Sequence, residues 1–288
     1  MNILVTGANG QLGKEMHRVL EQHCPGVTVY TDVDNLDITD AKAVSDFFDK
    51  NEFTHVINCA AYTAVDKAES DQTLCYRINA DAVQNIAAAA SRHDVKVIHI
   101  STDYVFDGKS YRPYIESDKP NPMSAYGTSK RKGEMALLSL CPDAVIIRTA
   151  WLYSIHGHNF VKTMLKLGRE KSNLRVVFDQ VGTPTYAGDL ADAIYSVLTA
   201  RQWVPGIFHF ANEGVISWYD FAKAIHRIAG IDTCCVTPVT SDDYPTAATR
   251  PYYSVLDKSK IKTIYGIAIP YWETSLEYCI AKLAETEK

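Results

Sequence analysis

The sequence predicts an α/β fold: a doubly wound parallel sheet with a smaller, interleaved second lobe. Short β-rich apolar runs alternate with helix-period segments over the first 150 residues, the pattern of a parallel sheet covered by helices on both faces. The intervals between those runs are long enough for the crossovers that parallel neighbours need. After Trp151 the rhythm loosens, which marks the second lobe.

In chain order, strands are expected at 2–6, 28–31, 55–60, 96–101 and 144–148, separated by helices at 12–23, 41–50, 72–93, with its alanine run at 87–90, and 126–140. Beyond them the pattern predicts a helix at 159–169, a strand at 175–178, a helix at 188–200, a strand at 206–210 and an amphipathic helix at 218–228. The stretch 237–257, rich in Pro, Thr, Ser and Tyr, reads as an irregular connection before a last helix at 273–285. Residues 1–150 form the expected dinucleotide-binding half and 151–288 mainly the second lobe, with some later segments returning to the first sheet. No repeat or obvious linker cuts the chain.

A composition of 47% hydrophobic and 22% charged residues excludes collagen-like and disordered chains. The 288 residues are enough to bury roughly 75% of the unfolded surface. The net charge is −5 and the basic residues are scattered, so no nucleic acid partner is expected. No run approaches the ~18 apolar residues of a membrane span, and no charged segment precedes Ile3-Leu4-Val5, so neither membrane insertion nor a signal peptide is expected. The seven cysteines are odd in number and lack a C-x-x-C pair, which fits reduced thiols and a cytoplasmic location.

Gly7-Ala-Asn-Gly10-Gln-Leu-Gly13 falls directly after the first strand and opens the first helix, where a Rossmann-type dinucleotide fingerprint belongs. Gly7 permits a tight turn, Gly10 a close approach to a pyrophosphate and Gly13 helix-to-strand packing. Asp32 ends the second strand, where a carboxylate accepts ribose hydroxyls and repels a 2′-phosphate. That favours NADH over NADPH, with Lys14 and Arg18 near enough in sequence to offset the repulsion. Asp37-Ile38 either bracket the adenine or belong to a helix-capping cluster before Ala41.

Tyr126 and Lys130 share a helix face at i and i+4. An ammonium beside a phenol lowers its pKa and suits it to proton transfer. Thr102 ends a strand at the carboxyl edge of the sheet, where its hydroxyl can donate to a substrate oxygen. His156-Gly-His158 lacks a third ligand at metal spacing and is read as solvated loop. Ser110, Ser124 and Ser154 lack a nucleophile elbow.

Together with Asn58-Cys-Ala-Ala61 and Ser101-Thr-Asp103, these motifs resemble the extended short-chain dehydrogenase/reductases, a Rossmann-fold family with a small sugar-nucleotide-binding lobe. The resemblance narrows to the reductases of dTDP-linked 4-keto-6-deoxy sugars, through Ala60-Ala-Tyr-Thr-Ala-Val-Asp-Lys-Ala-Glu-Ser70, Ser101-Thr-Asp-Tyr-Val-Phe106, Arg148-Thr-Ala-Trp151, Asn159-Phe-Val-Lys-Thr-Met164, Asp179-Gln-Val-Gly-Thr-Pro-Thr185 and Arg250-Pro251. It implies NADPH or NADH as cofactor, a dTDP-sugar substrate and reduction at the sugar C4. It makes Tyr126 the proton donor, Lys130 its pKa-lowering and ribose-binding partner and Thr102 the hydroxyl on the C4 carbonyl. Gly10, Gln11, Leu12, Asp32, Asp37, Ile38, Ala61, Tyr62, Thr63 and Ile100 would line the cofactor. Thr102, Asp103 and Trp151 would contact the sugar, Arg250 the diphosphate, and Asn79 would support Lys130.

Some similar enzymes are dimers bridged by magnesium on glutamates. Only Glu15 matches, because Gly188 and Lys282 stand where the others align, so no metal is expected and a homodimer is left open. Sugar-nucleotide epimerases and 4,6-dehydratases, which keep NAD bound, are similar too. So is a regulatory subunit of another class, the β subunit of methionine adenosyltransferase.

Overall fold

The computed structural model describes residues 1–286. The first half comprises β1 (Ile3–Thr6), α1 (Gln11–His23), β2 (Thr28–Thr31), α2 (Ala41–Asp49), β3 (His55–Asn58), α3 (Val65–Ser70), α4 (Gln72–Tyr76), α5 (Ala82–Arg92), β4 (Lys96–Thr102), α6 (Ala125–Leu140) and β5 (Val145–Thr149). The second half begins with β6 (Leu152–Tyr153), α7 (Phe160–Glu170), β7 (Asn173–Val177), β8 (Val181–Gly182), β9 (Thr185–Tyr186) and α8 (Ala187–Leu198). It ends with β10 (Gly206–His209), β11 (Ile216–Ser217), α9 (Trp218–Ile228), β12 (Cys235–Val239), α10 (Ser259–Tyr265) and α11 (Trp272–Thr286).

Six strands form one parallel sheet in the order β10-β5-β4-β3-β1-β2. Successive side chains of a strand point to opposite faces, and the two cores follow from that alternation. Ile3 and Val5 of β1 join α1 and α8 on one face, while Leu4 joins α2, α5 and α6 on the other. Helix α1 is held by Leu12, Met16, Val19 and Leu20, the 3.6-residue stripe of an amphipathic helix. Strand β10 reaches the sheet edge from far along the chain and pairs with β5 from Gly206↔Val145 to His209↔Arg148.

The second lobe has its own core, in which Val161 and Leu165 of α7, Leu174 and Val176 of β7 and Phe221 and Ile225 of α9 meet Leu276 of α11. Its sheets are small pairs: β7 with β12, β8 with β11 and β6 with β9.

Three expectations need correction. The helix expected at 72–93 is divided into α4 and α5 by a π-helical turn at Arg77–Asp81, a one-turn widening that periodicity does not register. The irregular stretch expected at 237–257 is entered by β12, because parallel pairing with β7 recruits Pro238 and Val239. The strand expected at 55–60 ends at Asn58, whose side-chain carbonyl turns back to accept the Ala60 N–H at 3.1 Å. No helix among the described residues is long and apolar enough to cross a membrane.

Candidate active site

In an open parallel sheet a crevice forms beyond the carboxyl ends of the strands where the strand order reverses. Here that point lies between β1 and β3. A groove of about 480 Å³ occupies it, lined by Gly7 and Gly10 after β1, Asp32 after β2 and Cys59 to Ala61 after β3. Gly7 has φ +67°, and a Cβ there would stand 2.6 Å from the Ala60 N. Only glycine lets the β1–α1 loop close on the end of β3. Helix α1 opens at Gly10 with no side-chain cap and no acid in its first turn, so its unpaired N–H groups and positive dipole end suit an anionic group. This donor set and the glycine cradle fit a dinucleotide.

Asp32 is part of the cradle's frame: its Oδ2 accepts the Asn9 N–H at 2.9 Å and its Oδ1 the Val33 N–H at 2.8 Å. Asp37 Oδ1 accepts the Thr39 N–H and O–H at 2.9 and 2.7 Å, and those bonds lower its pKa. Asp40 caps α2 through the Lys42 and Ala43 N–H groups, which leaves Asp37 and Ile38 on the groove wall. Arg77, at the start of the π turn, is the one cationic residue among the described groove residues. It donates to Thr39 Oγ1 at 2.7 Å.

Of the expected cofactor residues, Gly7, Gly10, Asp32, Asp37, Ile38 and Ala61 meet in this groove. Gln11 instead accepts from Asn159 of the second lobe at 2.9 Å, Leu12 packs into the core beneath the loop, and Thr63 is exposed. Tyr62 is pinned through its backbone: Asn79 Oδ1 accepts its N–H at 2.9 Å and Asn79 Nδ2 donates to its carbonyl at 3.1 Å. Asn79 also donates to Ser129 Oγ at 3.0 Å. It therefore steadies α6 one residue before Lys130 and does not touch the lysine through a hydrogen bond.

Thr102 ends β4 and caps a 3₁₀ turn at Asp103–Val105, its Oγ1 accepting the Tyr104 N–H at 3.2 Å. The same hydroxyl donates to Asp103 Oδ1 at 2.8 Å. Ser124 caps α6 by accepting the Gly127 N–H at 3.1 Å, and the helix then presents Tyr126 and Lys130 one turn apart. The Tyr104 ring meets that of Tyr126 edge-on, with centroids 5.5 Å apart.

Here the electrostatics differ from the expectation. Burial raises the Tyr126 pKa well above the ordinary value, with the Thr102 hydroxyl beside it acting in the opposite direction. Lys130 donates to the Ile100 carbonyl at 2.6 Å instead of leading the influences on the phenol. Burial brings the Lys130 pKa down to about 8, opposed by Glu134. The arrangement holds Tyr126 as a protonated phenol, the form that donates a proton.

Trp151 sits at φ +47°, a strained conformation for a bulky residue. Its ring stacks on Trp218 with centroids 3.6 Å apart. Arg250, expected on a diphosphate, is paired with Asp66 and donates to the Tyr104 hydroxyl at 3.1 Å. Its guanidinium thus ties a second-lobe segment to α3 and to the turn after β4. Sequence reading missed Arg77, Thr39, Leu36, Trp218 and Ser254. Leu36 and Thr39 carried a local signal, since they flank the Asp37-Ile38 pair that the sequence singles out, while Arg77, Trp218 and Ser254 reach the site through the fold. No group of three or more His, Cys, Asp or Glu among the described residues is placed to hold a metal ion.

A parallel sheet with a glycine cradle at its switch point and a Tyr-x-x-x-Lys helix beside it is the architecture of the short-chain dehydrogenase/reductases. Residues 1–285 match the family described as RmlD substrate binding domain, and the chain belongs to that family. It is 40% identical to a dTDP-4-dehydrorhamnose reductase of Aggregatibacter actinomycetemcomitans, over 96% of this chain and 97% of that protein. Among solved structures, a dTDP-4-dehydrorhamnose reductase of Clostridium acetobutylicum superposes with a TM-score of 0.95 at 46% identity, covering 99% of this chain and 100% of that one. A dTDP-4-dehydrorhamnose reductase of Bacillus anthracis, solved in complex with NADP, superposes with a TM-score of 0.93 at 38% identity, covering 98% and 100%.

Proposed function

We propose that the protein is an NAD(P)H-dependent reductase that converts the C4 keto group of dTDP-4-dehydro-L-rhamnose to a hydroxyl, giving dTDP-L-rhamnose for polysaccharide synthesis. The observation that carries this reading is the meeting of Tyr126 on α6 with Thr102 at the carboxyl end of β4, the same edge of the sheet at which the glycine cradle opens. Full-length identity of 40% to a reductase of that name supports the substrate.

The reduced nicotinamide supplies a hydride. The Gly7–Gly10 loop and the α1 N-terminus hold the coenzyme's phosphates, while Asp32, Asp37, Ile38 and Ala61 line its adenosine end. Asp32 gives that end a carboxylate without a basic neighbour at the β2 terminus, which favours NADH over NADPH. Lys130 binds the nicotinamide ribose, Tyr126 gives its proton to the C4 oxygen, and Thr102 fixes that oxygen in line with the phenol. Trp151 offers the sugar an apolar face, with Asp103 and Arg250 on the sugar nucleotide's polar groups. Residues 1–150 serve the coenzyme and 151–288 mainly the sugar nucleotide, and the enzyme works in the cytoplasm.

The test supplies purified protein with dTDP-4-keto-L-rhamnose and follows nicotinamide oxidation with NADH and NADPH in parallel. Oxidation that yields dTDP-rhamnose and is abolished in Tyr126→Phe supports the reading. A folded protein that binds coenzyme but turns over neither refutes it.

A further inference from the structure

Asp103 is a buried carboxyl group, 3% exposed, at the centre of the candidate site. Its Oδ1 accepts a hydrogen bond from the Thr102 hydroxyl at 2.8 Å. Its Oδ2 has no hydrogen-bond partner of good geometry among the described residues, although the Ser254 hydroxyl stands close enough to oppose the rise that burial imposes on the carboxyl. A buried carboxylate oxygen without a partner is costly, and protonation of the carboxyl relieves that cost. The groups facing it are the hydroxyls of Thr102 and Ser254, Tyr104 as its chain neighbour and Tyr126 from α6. Beyond Tyr104 stands Arg250.

The Thr102 hydroxyl has one proton. While Thr102 donates that proton in its hydrogen bond to the Asp103 carboxylate, it can only accept from Tyr126 or from substrate. Once Asp103 is the acid, it can donate to Thr102 Oγ1, and Thr102 becomes a donor. Resting on the reductase reading, we propose that Asp103, acting through Thr102, restores the proton that Tyr126 gives to the C4 oxygen. In this step the Tyr126 O–H bond breaks as the product O–H bond forms. The Thr102 proton passes to the Tyr126 oxygen and the Asp103 proton passes to Thr102. One carboxylate remains on Asp103, and water reprotonates it after product release.

Burial disfavours both anions, the Asp103 carboxylate and the Tyr126 phenolate, but leaves the phenolate much the stronger base. It raises the Asp103 carboxyl only to about 6. The proton therefore runs downhill from carboxylic acid to phenolate. Asp103 is a positioning and relay residue here, and its effect on kcat is read separately from any contact it makes with the sugar nucleotide.

The test measures kcat against pH from 5 to 9, at saturating coenzyme and sugar, for wild type, Asp103→Asn, Thr102→Val and Thr102→Ser. Wild-type kcat is expected to fall as pH rises through the Asp103 titration. In Asp103→Asn and Thr102→Val, kcat drops at least tenfold and becomes flat with pH, and Thr102→Ser regains the wild-type profile. An Asp103→Asn enzyme that keeps the wild-type pH limb, or that changes only KM, overturns the relay. Carbon-13 NMR of labelled aspartate, without substrate or coenzyme, gives a readout independent of turnover. Asp103 is expected to titrate near 6 and to move upward in Thr102→Val, which has lost the donor to its carboxylate. Titration in the ordinary carboxylate range, unmoved by Thr102→Val, overturns the proposal. Absence of wild-type turnover would instead refute the reductase reading.

Discussion

At the scale of the residue, Tyr126 and Lys130 divide between them what a single spacing motif suggests. Replacing Tyr126 by Phe removes the hydroxyl that we propose gives the proton and leaves the residues that line the groove in place. We expect kcat to fall by about 10²–10⁴ and coenzyme affinity, measured by fluorescence titration, to stay within about twofold. Lys130 has a folded pKa of about 8, below the 10.5 of a free lysine, so folding favours the neutral amine. The charged lysine weakens the fold fully below pH 8, and that loss fades as pH rises to 10.5. Thermal melts of Lys130→Met should therefore show a more stable but inactive protein at pH 7, by up to ~3 kcal/mol. The gap should close towards pH 10.5, and a variant less stable than wild type at pH 7 would contradict the sign. At the other end of the groove, Asp32→Asn keeps an acceptor for the Asn9 N–H and loses the charge. We expect kcat/KM for NADPH relative to NADH to rise at least tenfold. Tyr126, Lys130, Thr102 and Gly7 were legible in sequence because each belongs to a motif closed within a few residues. Ser254 and the direction of the Thr102 proton were not, because they depend on contacts made by chain arriving from elsewhere.

At the scale of the element, the π turn at Arg77–Asp81 is the feature on which two parts of the site depend. It starts with Arg77 on the groove wall and carries Asn79, which bonds both Tyr62 and Ser129. Helix α6 approaches this turn so closely that a Cβ on Gly133 would fall 2.1 Å from the Asn79 carbonyl oxygen. Gly133→Ala should therefore destabilise the protein by about 1–3 kcal/mol in denaturant melts. It should also lower kcat beyond what coenzyme binding explains, since the helix that bears Tyr126 and Lys130 is displaced. The elements of the main sheet were readable from apolar runs and helical periodicity, because a strand buried on both faces needs continuous apolar sequence. The π turn left no trace, since the alanine-rich stretch around it satisfies an ordinary helix equally well. Strand β12 was hidden because its Pro238 suggests a break, and only its place beside β7 reveals a strand.

At the scale of the whole molecule, polar ties cross between the lobes near the site. Asn159 donates to Gln11 beside the glycine loop. Arg250 pairs with Asp66, which also accepts the Ala248 N–H at 3.1 Å. Arg250→Ala should loosen the segment around Ala248, seen as faster amide hydrogen exchange there. KM for the sugar nucleotide should rise at least tenfold, with KM for the coenzyme unchanged. A uniform rise in both would mean that the tie supports the entire cleft.

The return of β10 to the sheet edge has a consequence for how such enzymes diversify. A boundary drawn after β5 would leave the sheet without its last strand and expose β5 as a bare hydrogen-bonding edge. The second lobe therefore cannot be cut away at that boundary without taking a strand of the main sheet with it. An exchange of substrate-facing side chains in place, by contrast, leaves all six strands of that sheet paired as they are.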